Sequence, residues 1–523
     1  EIYTVEHTLP YTTLFRSRQG LLPVEAESRH ISRGALLGLR PRRARRTGFL
    51  RILCRHPGDG GKLTSRAGLF DDLREKARKA VHSAGADFAE IRVETRDSVS
   101  MVQTGGLPPD ASSDRQSGFH ARVLCDGIWG SACASADMDP AEILTRAVAA
   151  ARTAGGRGSV SLARIPSSSE TWRPVVAEPV QEAPASDKAF LCRRYRELLE
   201  SETQGASCRV AYRDFRRLKA VLNSAGCDVM EEEQFCGFRM EALSSDTGLL
   251  ASRERAGRSG LEFFRSREDL VGEVAAECSA LESAVTPPDP GSRLLLDPEN
   301  AGVFIHEVFG HLCESGAHPL ASSLGGYLRR GSRLASPCVN IVDDSTHFSM
   351  PGSCAFDDEG VPGTRTPIVT SGVLSNLLHT LETAGAAGVA PTGNARAAGF
   401  RSLPGARMTC TYLAPGSMSL EAMTAMLSDG LYLVGSLGGS TDMGGFSLTS
   451  RLGWRIESGR PTVMTGPVTI HGRVFDFLKS IQCVGSDLTL YSGPGGCSSV
   501  GDDLLPVSYG APHTLVFAPG RSG

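Results

Sequence analysis

The sequence predicts an α+β protein, in which a mixed α/β N-terminal domain precedes a β-rich, barrel-like or sandwich-like C-terminal domain that carries one well-capped helix. Residues 66–260 contain both the apolar stripes of helices and the alternating patterns of strands. Beyond Gly291, short strands separated by Gly, Asp and Ser turns dominate. The proline-rich segment Thr286–Pro290 separates the two patterns. We therefore assign residues 66–289 to the first domain and residues 290–523 to the second.

The N-terminal domain is predicted to combine helices with a sheet. Apolar residues between Leu69 and Ala84 recur at helical spacing, whereas Ala89–Val93 show the alternation of a half-buried strand. A second strand through Arg122–Leu124 ends at the turn Asp126–Gly127, which favours a hairpin. Later helices are predicted at Asp139–Ala151, Asp187–Thr203 and Glu268–Leu281. We expect this domain to serve as a scaffold and a dimer contact.

The C-terminal domain begins with a strongly predicted helix. Asp297 is a suitable N-cap, and Pro298 occupies the first helical position. Apolar residues then recur at helical spacing as far as Leu312, and Gly316 is a suitable stop. Few other helices are expected in this domain apart from one at Ser419–Ser428.

This helix contains the run His306–His311, HEVFGH, in which two imidazoles flank a carboxylate. Two histidines near one helical turn apart can bind zinc, and an adjacent glutamate can take a proton from a metal-activated water. The familiar spacing is i and i+4. Here the spacing is i and i+5, which separates the side chains by about 140° on a regular α-helix. Both can face one ion only if the turn is widened, as in a π-bulge, and Gly310 makes such a distortion easier.

His306 and His311 could also be ordinary core or surface histidines, which is the commoner situation for a lone pair. Glu307 favours the metal interpretation, because an unpaired carboxylate on a strongly apolar helix is costly to bury. The run therefore indicates a metal-dependent hydrolase.

Several separated segments carry a family signature. The first is Leu294–Ser315, which contains the HExxxH run. Others follow at Val342–Gly360, Pro391–Arg396, Gly438–Phe446 and Gly495–Pro512, and two precede it at Asp87–Glu94 and Gly118–Ala132. Together, in this order, they resemble the TldD/PmbA (TldD/TldE) metallopeptidases, specifically the metal-carrying TldD-type subunit.

In that family the two histidines of HExxxH are zinc ligands, and a cysteine near the C-terminus supplies the third. The resemblance therefore implies His306, His311 and Cys497 as ligands of one Zn²⁺ ion, with Glu307 as the general base. The sequence alone does not single out Cys497, because the chain has fourteen cysteines. Two histidines and one cysteine leave a fourth tetrahedral position open, as a catalytic zinc requires.

The resemblance also implies a substrate and an assembly. Family members bind an extended peptide as an added strand, so we expect cleavage of unfolded or short peptides. TldD-type subunits usually pair with a metal-free TldE/PmbA-like subunit in a heterodimer, and some relatives form a homodimer. With its complete motif, this chain would be the catalytic subunit in either assembly.

Two other functions could use the same motif. The chain could be a catalytically inactive peptide-binding or regulatory protein of the same fold, although a binder has little need for Glu307. It could also hold a structural zinc ion. Three ligands rather than four argue against this, because structural sites are normally closed.

Acidic residues are concentrated downstream of the motif, at Asp343–Asp344 and Asp357–Glu359. They could orient metal-binding histidines through hydrogen bonds. Clusters of this kind are more often solvated turns, which is the interpretation that the sequence favours.

The composition is that of an ordinary globular protein. The 523 residues are 41% hydrophobic and 22% charged, with a formal net charge of -3. These values indicate neither a nucleic-acid partner nor a membrane surface, and no apolar stretch approaches the ~20 residues needed to cross a bilayer. Fourteen irregularly spaced cysteines favour a reducing compartment, so we predict a cytoplasmic protein.

Residues 1–65 do not fit this organisation. They lack a sustained helical or alternating pattern, and they contain the basic run Arg40–Arg46. Glu1–Ser17 resembles translated sequencing-adapter sequence, and no signal-peptide pattern is present. We expect residues 1–65 to be a non-native or disordered extension and assign them no function.

Overall fold

The computed structural model describes residues 66–164, 167–316, 328–442, 444–497 and 504–517. The extension predicted at residues 1–65 lies outside these ranges. Within them, no helix is both long enough and apolar enough to cross a membrane.

A seven-stranded sheet forms the centre of the N-terminal region. Its strands are β1 (Phe88–Thr104), β2 (Asp110–Cys125), β3 (Ile128–Ser135), β4 (Ser169–Trp172), β5 (Ser207–Asn223), β6 (Asp228–Leu243) and β7 (Leu250–Gly257). They lie in the order β3-β2-β1-β5-β6-β4, and β7 also pairs with β6. The predicted hairpin turn between β2 and β3 is confirmed, with positive φ values of 50° at Asp126 and 76° at Gly127.

One face of this sheet is apolar and is covered by helices. These are α1 (Arg66–Val81), α2 (Pro140–Ala154), α3 (Ala185–Glu202) and α4 (Glu268–Glu282). Ile91 of β1 shares a buried cluster with Phe70 and Leu73 of α1. The carboxylate of Asp139 accepts a hydrogen bond from the backbone at the start of α2, as the predicted N-cap requires. The predicted helices of this region are therefore confirmed.

The opposite face of the sheet is charged, yet it is buried. It packs against segments 353–361 and 399–402 of the C-terminal region. Arg122 on β2 pairs with Glu359 at 2.9 Å, and Arg217 on β5 pairs with Asp358 at 3.0 Å. The sheet therefore joins a helical layer on one side to the C-terminal region on the other.

The described residues of the C-terminal region form two larger sheets and one small pair of strands. The first sheet contains β8 (Arg293–Leu296), β15 (Gly430–Asp442), β16 (Gly445–Glu457), β17 (Arg460–Thr465), β18 (Thr469–Arg473), β19 (Ile481–Val484) and β22 (Thr514–Phe517). These strands lie in the order β17-β16-β15-β8-β22-β19, and β18 also pairs with β16. The second sheet contains β9 (Ile341–Asp344), β10 (Arg365–Thr370), β11 (Val373–Leu374), β14 (Cys410–Leu413), β20 (Thr489–Tyr491) and β21 (Ser508–Ala511). These strands lie in the order β11-β10-β9-β14-β21-β20. The small pair is β12 (Ala395–Arg396) with β13 (Gly405–Ala406).

The helix that carries the HExxxH run, here called the motif helix (Pro298–Cys313), lies between these two sheets. It contacts β15 of the first sheet and β14 and β21 of the second, and its apolar residues belong to a buried cluster shared by both. The described strands form open sheets and not a closed barrel. The α+β class is confirmed, and the barrel-like alternative is wrong. The domain boundary near residue 290 stays a prediction.

The C-terminal region contains more helix than the sequence predicts. The expected helix near Ser419–Ser428 is present at Leu420–Leu427. Two others, at Leu381–Ala387 and Val474–Lys479, were not predicted, because seven and six residues are too few to show a helical period.

Candidate metal centre

The motif helix starts as the sequence predicts. One carboxylate oxygen of Asp297 accepts a hydrogen bond from the backbone N–H of Asn300 at 2.8 Å, and the other accepts from the N–H of Gly435 at 2.7 Å. Pro298 occupies the first turn, where no intrahelical donor is lost. Asp297 therefore both caps the helix and ties it to β15.

The helix then changes its winding at the histidines. After an α-helical segment, Pro298–Val303, the chain forms a π-helical turn over Phe304–Phe309 and a 3₁₀ turn over Gly310–Cys313. The N–H of Gly310 donates to the carbonyl of Ile305, five residues earlier. This widened turn confirms the predicted distortion.

The widened turn brings the two imidazoles to one side. The ring centroids of His306 and His311 lie 5.4 Å apart, and His306 is almost completely buried. Glu307 lies beside them, with a carboxylate oxygen 3.6 Å from Nε2 of His311. An i, i+5 pair can therefore face a common point here.

Gly310 has a packing role that differs from the predicted one. Its backbone has ordinary right-handed helical angles, with φ -59° and ψ -44°, so the turn does not require glycine's conformational freedom. A β-carbon at this position would lie 2.1 Å from the sulfur of Met408. Gly310 therefore permits close packing of the helix on the segment that follows β13.

Cys497 reaches the histidines from a distant part of the chain. Its backbone forms an antiparallel bridge with Leu505, with N–O distances of 2.9 and 3.0 Å. Its Sγ lies 3.0 Å from Nε2 of His311. One donor atom from each of His306, Glu307, His311 and Cys497 can be chosen so that all four lie within 4.8 Å of one another.

Cys313, the cysteine nearest to the motif in sequence, lies elsewhere. It is fully buried, and its thiol donates to the carbonyl of Phe309. It does not belong to the group of four donors.

The thiol and the imidazole influence each other's ionisation. Burial would raise the pKa of Cys497, but the positive charge of His311 outweighs it and lowers the pKa to about 7. Burial likewise opposes the charged form of His311, yet the Cys497 thiolate holds its pKa well above the ordinary value. The chain therefore favours a thiolate, which is the form of cysteine that binds metals.

The donors suit a zinc ion. Neither ring nitrogen of buried His306 makes a hydrogen bond of acceptable geometry within the described part of the chain. Buried polar atoms normally have partners, so these nitrogens are suited to another ligand. Two imidazoles and a thiolate favour zinc over magnesium or calcium, which prefer oxygen ligands.

Two further residues connect the donors, and sequence analysis did not identify them. One carboxylate oxygen of Glu314 lies 3.2 Å from Nδ1 of His311, and the other accepts from Nε of Arg407 at 3.3 Å. Arg407 also donates to the carbonyl of Cys497 at 3.3 Å. Both side chains are buried. Glu314 and Arg407 thus link the end of the motif helix to the loop that carries the thiol.

The downstream acids occupy neither of their two predicted roles. All five are buried, so they are not solvated turns. The hydrogen bonds described for Asp343 join it to Asn394, Thr409 and Thr411, and Asp358 and Glu359 pair with arginines of the N-terminal sheet. These acids hold loops and sheets together.

A helix that presents two imidazoles and a carboxylate to a distant thiol is the arrangement of a metal-dependent hydrolase. The family models described as PmbA/TldA metallopeptidase C-terminal domain and domain 1 match residues 292–518 and 89–154. A metalloprotease of Methanothermobacter thermautotrophicus is 33% identical over 444 residues, which cover 82% of this chain and 94% of the relative.

Two further similarities agree with these matches. A zinc metalloprotease TldD homolog of Saccharolobus solfataricus is 32% identical over 43% of this chain and 49% of its own length. The crystal structure of TldE from Thermococcus kodakarensis shares the fold, with a TM-score of 0.65 at 18% identity, and the match covers 85% of this chain and 99% of that one. The chain belongs to the PmbA/TldD family of metallopeptidases.

Proposed function

We propose that this chain is a zinc-dependent peptidase that hydrolyses unfolded or short peptides bound as extended strands. The observation that carries the proposal is that one donor atom from each of His306, Glu307, His311 and Cys497 lies within 4.8 Å of the others. A widened helical turn brings the two histidines to one side. A structural zinc site would need a fourth protein ligand that excludes water, whereas three ligands and a carboxylate suit catalysis.

His306, His311 and Cys497 would hold the ion, and Glu307 would work beside it. A zinc ion in this position supplies Lewis acidity, which lowers the pKa of a water molecule and polarises a peptide carbonyl. The Glu307 carboxylate would accept the proton of the attacking water and return it to the departing amine. Its oxygen 3.6 Å from His311 is close enough to the donors for this role.

An edge strand near the thiol supports strand-like peptide binding. Within the part of the chain that the structure describes, β20 ends the second C-terminal sheet and pairs there only with β21. Cys497 follows the last residue of β20 by six positions. An edge strand can pair with an extended peptide through backbone hydrogen bonds, which select conformation more than sequence.

We propose a cytoplasmic enzyme that works either with a metal-free TldE/PmbA-like subunit or as a homodimer. Every cysteine among the described residues is a free thiol, as expected in a reducing compartment. The fold shared with TldE is compatible with either assembly. Native mass spectrometry of the protein purified from its source would distinguish a heterodimer from a homodimer.

Metal removal is the first test of this function. We expect the purified protein to contain one zinc ion per chain by elemental analysis and to cleave an unstructured peptide but not a stable folded protein. Chelation should stop cleavage, and added zinc should restore it. A zinc-loaded protein, with or without a partner subunit, that binds the peptide intact would instead identify a regulatory binder.

The Glu314→Gln substitution should weaken metal binding. Glutamine keeps the size of the side chain but removes the charge that faces Nδ1 of His311. We expect zinc affinity to fall by about 10–100-fold, as is typical when a partner of a metal-binding histidine is changed. Competition with a chromogenic chelator would measure this, with Glu282→Gln at the exposed end of α4 as the matched control. Equal affinities for the two variants would rule out an orienting role for Glu314.

A further inference from the structure

The loop that carries Cys497 rests against the N-terminal sheet. The hydroxyl of Ser492 donates to the carbonyl of Ala256 at 2.7 Å, and Nη1 of Arg213 donates to the carbonyl of Pro494 at 3.3 Å. These two hydrogen bonds connect β7 and β5 to a segment that ends, three residues after Pro494, at Cys497.

A third contact lies between these two. A β-carbon at Gly237 would lie 3.0 Å from Cα of Pro494 and 3.0 Å from Cβ of Ala256, which is tighter than ordinary van der Waals contact. Glycine at this position therefore lets the backbone of β6 touch the loop directly. A larger side chain would push the loop away from the sheet.

The three contact positions form one row. Arg213 on β5 pairs in register with Gly237 on β6, which pairs in register with Ala256 on β7. Cross-strand neighbours project on the same face of a sheet, so these three positions lie side by side on one face. Arg213 and Gly237 meet Pro494 there, and Ser492 bonds to the backbone carbonyl of Ala256. We call Arg213, Gly237 and Ala256 the loop-contact row.

The segment between Pro494, which the loop-contact row touches, and Cys497 is short. Only Gly495 and Gly496 lie between Pro494 and Cys497, and a β-carbon at Gly496 would lie 2.4 Å from the carbonyl oxygen of Leu505. The segment is therefore confined on both sides, and a shift at Pro494 would be passed on to Cys497. Arg407 holds the carbonyl of Cys497 from within the C-terminal region.

We propose that the loop-contact row of the N-terminal sheet positions Cys497 and thereby sets the affinity of the metal centre. The proposal rests on the proposed role of Cys497 as a ligand. A metal site gains affinity when its donors are held within about 0.5 Å of the required geometry before the ion arrives. The N-terminal region is then part of the metal centre as well as a scaffold.

Substitutions in the row, and of Ser492 in the loop that it contacts, test the proposal without relying on peptide cleavage. Arg213→Ala, Ser492→Ala and Gly237→Val each remove or displace one contact, whereas Arg213→Lys keeps a donor for the carbonyl of Pro494. Arg216→Ala is the matched control, because Arg216 lies on the same strand and pairs at 2.7 Å with Glu232. Zinc affinity would be measured by chelator competition. The near-ultraviolet sulfur-to-metal absorption of the cobalt-loaded protein would report coordination by Cys497, and thermal unfolding would confirm folding.

We expect Gly237→Val and Arg213→Ala to weaken zinc binding by about 10–100-fold and to reduce the sulfur-to-cobalt absorption. Arg213→Lys should keep much of the zinc affinity and of the sulfur-to-cobalt absorption. Arg216→Ala should match the parent protein in both measurements. If Gly237→Val does not fold, Arg213→Ala and Ser492→Ala decide the matter.

Cys497→Ser separates this proposal from the ligand assignment on which it rests. Persistence of the sulfur-to-cobalt absorption in Cys497→Ser would show that the assigned ligand is wrong. Loss of that absorption in Cys497→Ser, together with parental affinity and absorption in every row variant that folds, would overturn the positioning role and leave the ligand assignment intact.

Discussion

Glu307→Gln is expected to lower the rate of peptide cleavage by about 10²–10⁴-fold, the usual contribution of a positioned general base. An amide cannot accept the proton that leaves the attacking water. Glutamine has the size of glutamate, so His306, His311 and Cys497 should still bind zinc with full occupancy. The measurement is the turnover of an unstructured peptide together with the zinc content of each variant.

Glu282→Gln controls for this substitution, because Glu282 is exposed at the end of α4 and lies outside the motif helix. It should cleave the peptide at the parental rate. A fully zinc-loaded Glu307→Gln variant with parental turnover would remove Glu307 from the reaction. A variant that loses both zinc and activity would show instead that the carboxylate supports metal binding.

The motif helix could be predicted because its determinants are local. Its N-cap and first-turn proline are adjacent in sequence, and its apolar stripe lies within one helical segment. The spacing of His306 and His311 also predicts the π-helical turn, because a regular helix would separate the two rings. The role of Gly310 could not be predicted in the same way, because Met408 approaches it from a separate segment.

Cys497 could not be found from local pattern. It lies 186 residues beyond His311, and its position depends on the bridge to Leu505 and on contacts with the N-terminal sheet. The family resemblance was the only guide to it in the sequence. Glu314 differs, because it follows His311 by three residues, a separation at which side chains align on a 3₁₀ turn. An acid at that spacing was an available signal.

The charged layer between the N-terminal sheet and the C-terminal region was only half predictable. Alternation in Ala89–Glu94 predicts a strand with one polar face, and β1 confirms it. The pattern does not indicate what covers that face, which is set by segment 353–361 from far along the chain. For the same reason the acids Asp357–Glu359 resemble a solvated turn in sequence, although they are buried.

Arg217 links several carboxylates of that layer. It is buried, and its guanidinium pairs with Glu94 at 2.8 Å, Asp358 at 3.0 Å and Glu233 at 3.5 Å. Burial would raise the pKa of Asp358 and of Glu233, but Arg217 is the largest influence that holds both below their ordinary values. Arg217 therefore contacts three carboxylates, and two of them, Asp358 and Glu233, also lie within 4 Å of the Lys219 ammonium.

Arg217→Ala should lower the free energy of unfolding by about 3–5 kcal/mol, because it removes a partner of buried Glu94 and the nearer of the two cations that Asp358 and Glu233 share with Lys219. Arg115→Ala breaks an exposed pair with Asp97 and should cost only about 0–1 kcal/mol. Carboxyl groups whose pKa values are depressed stabilise the fold above their unfolded pKa, near 4, and lose that contribution as the pH falls further. The loss of unfolding free energy that Arg217→Ala causes should therefore be largest at neutral pH and should shrink below about pH 4. Denaturant titrations at several pH values would measure it, and a deficit no larger than that of Arg115→Ala would show that the buried layer does not depend on Arg217.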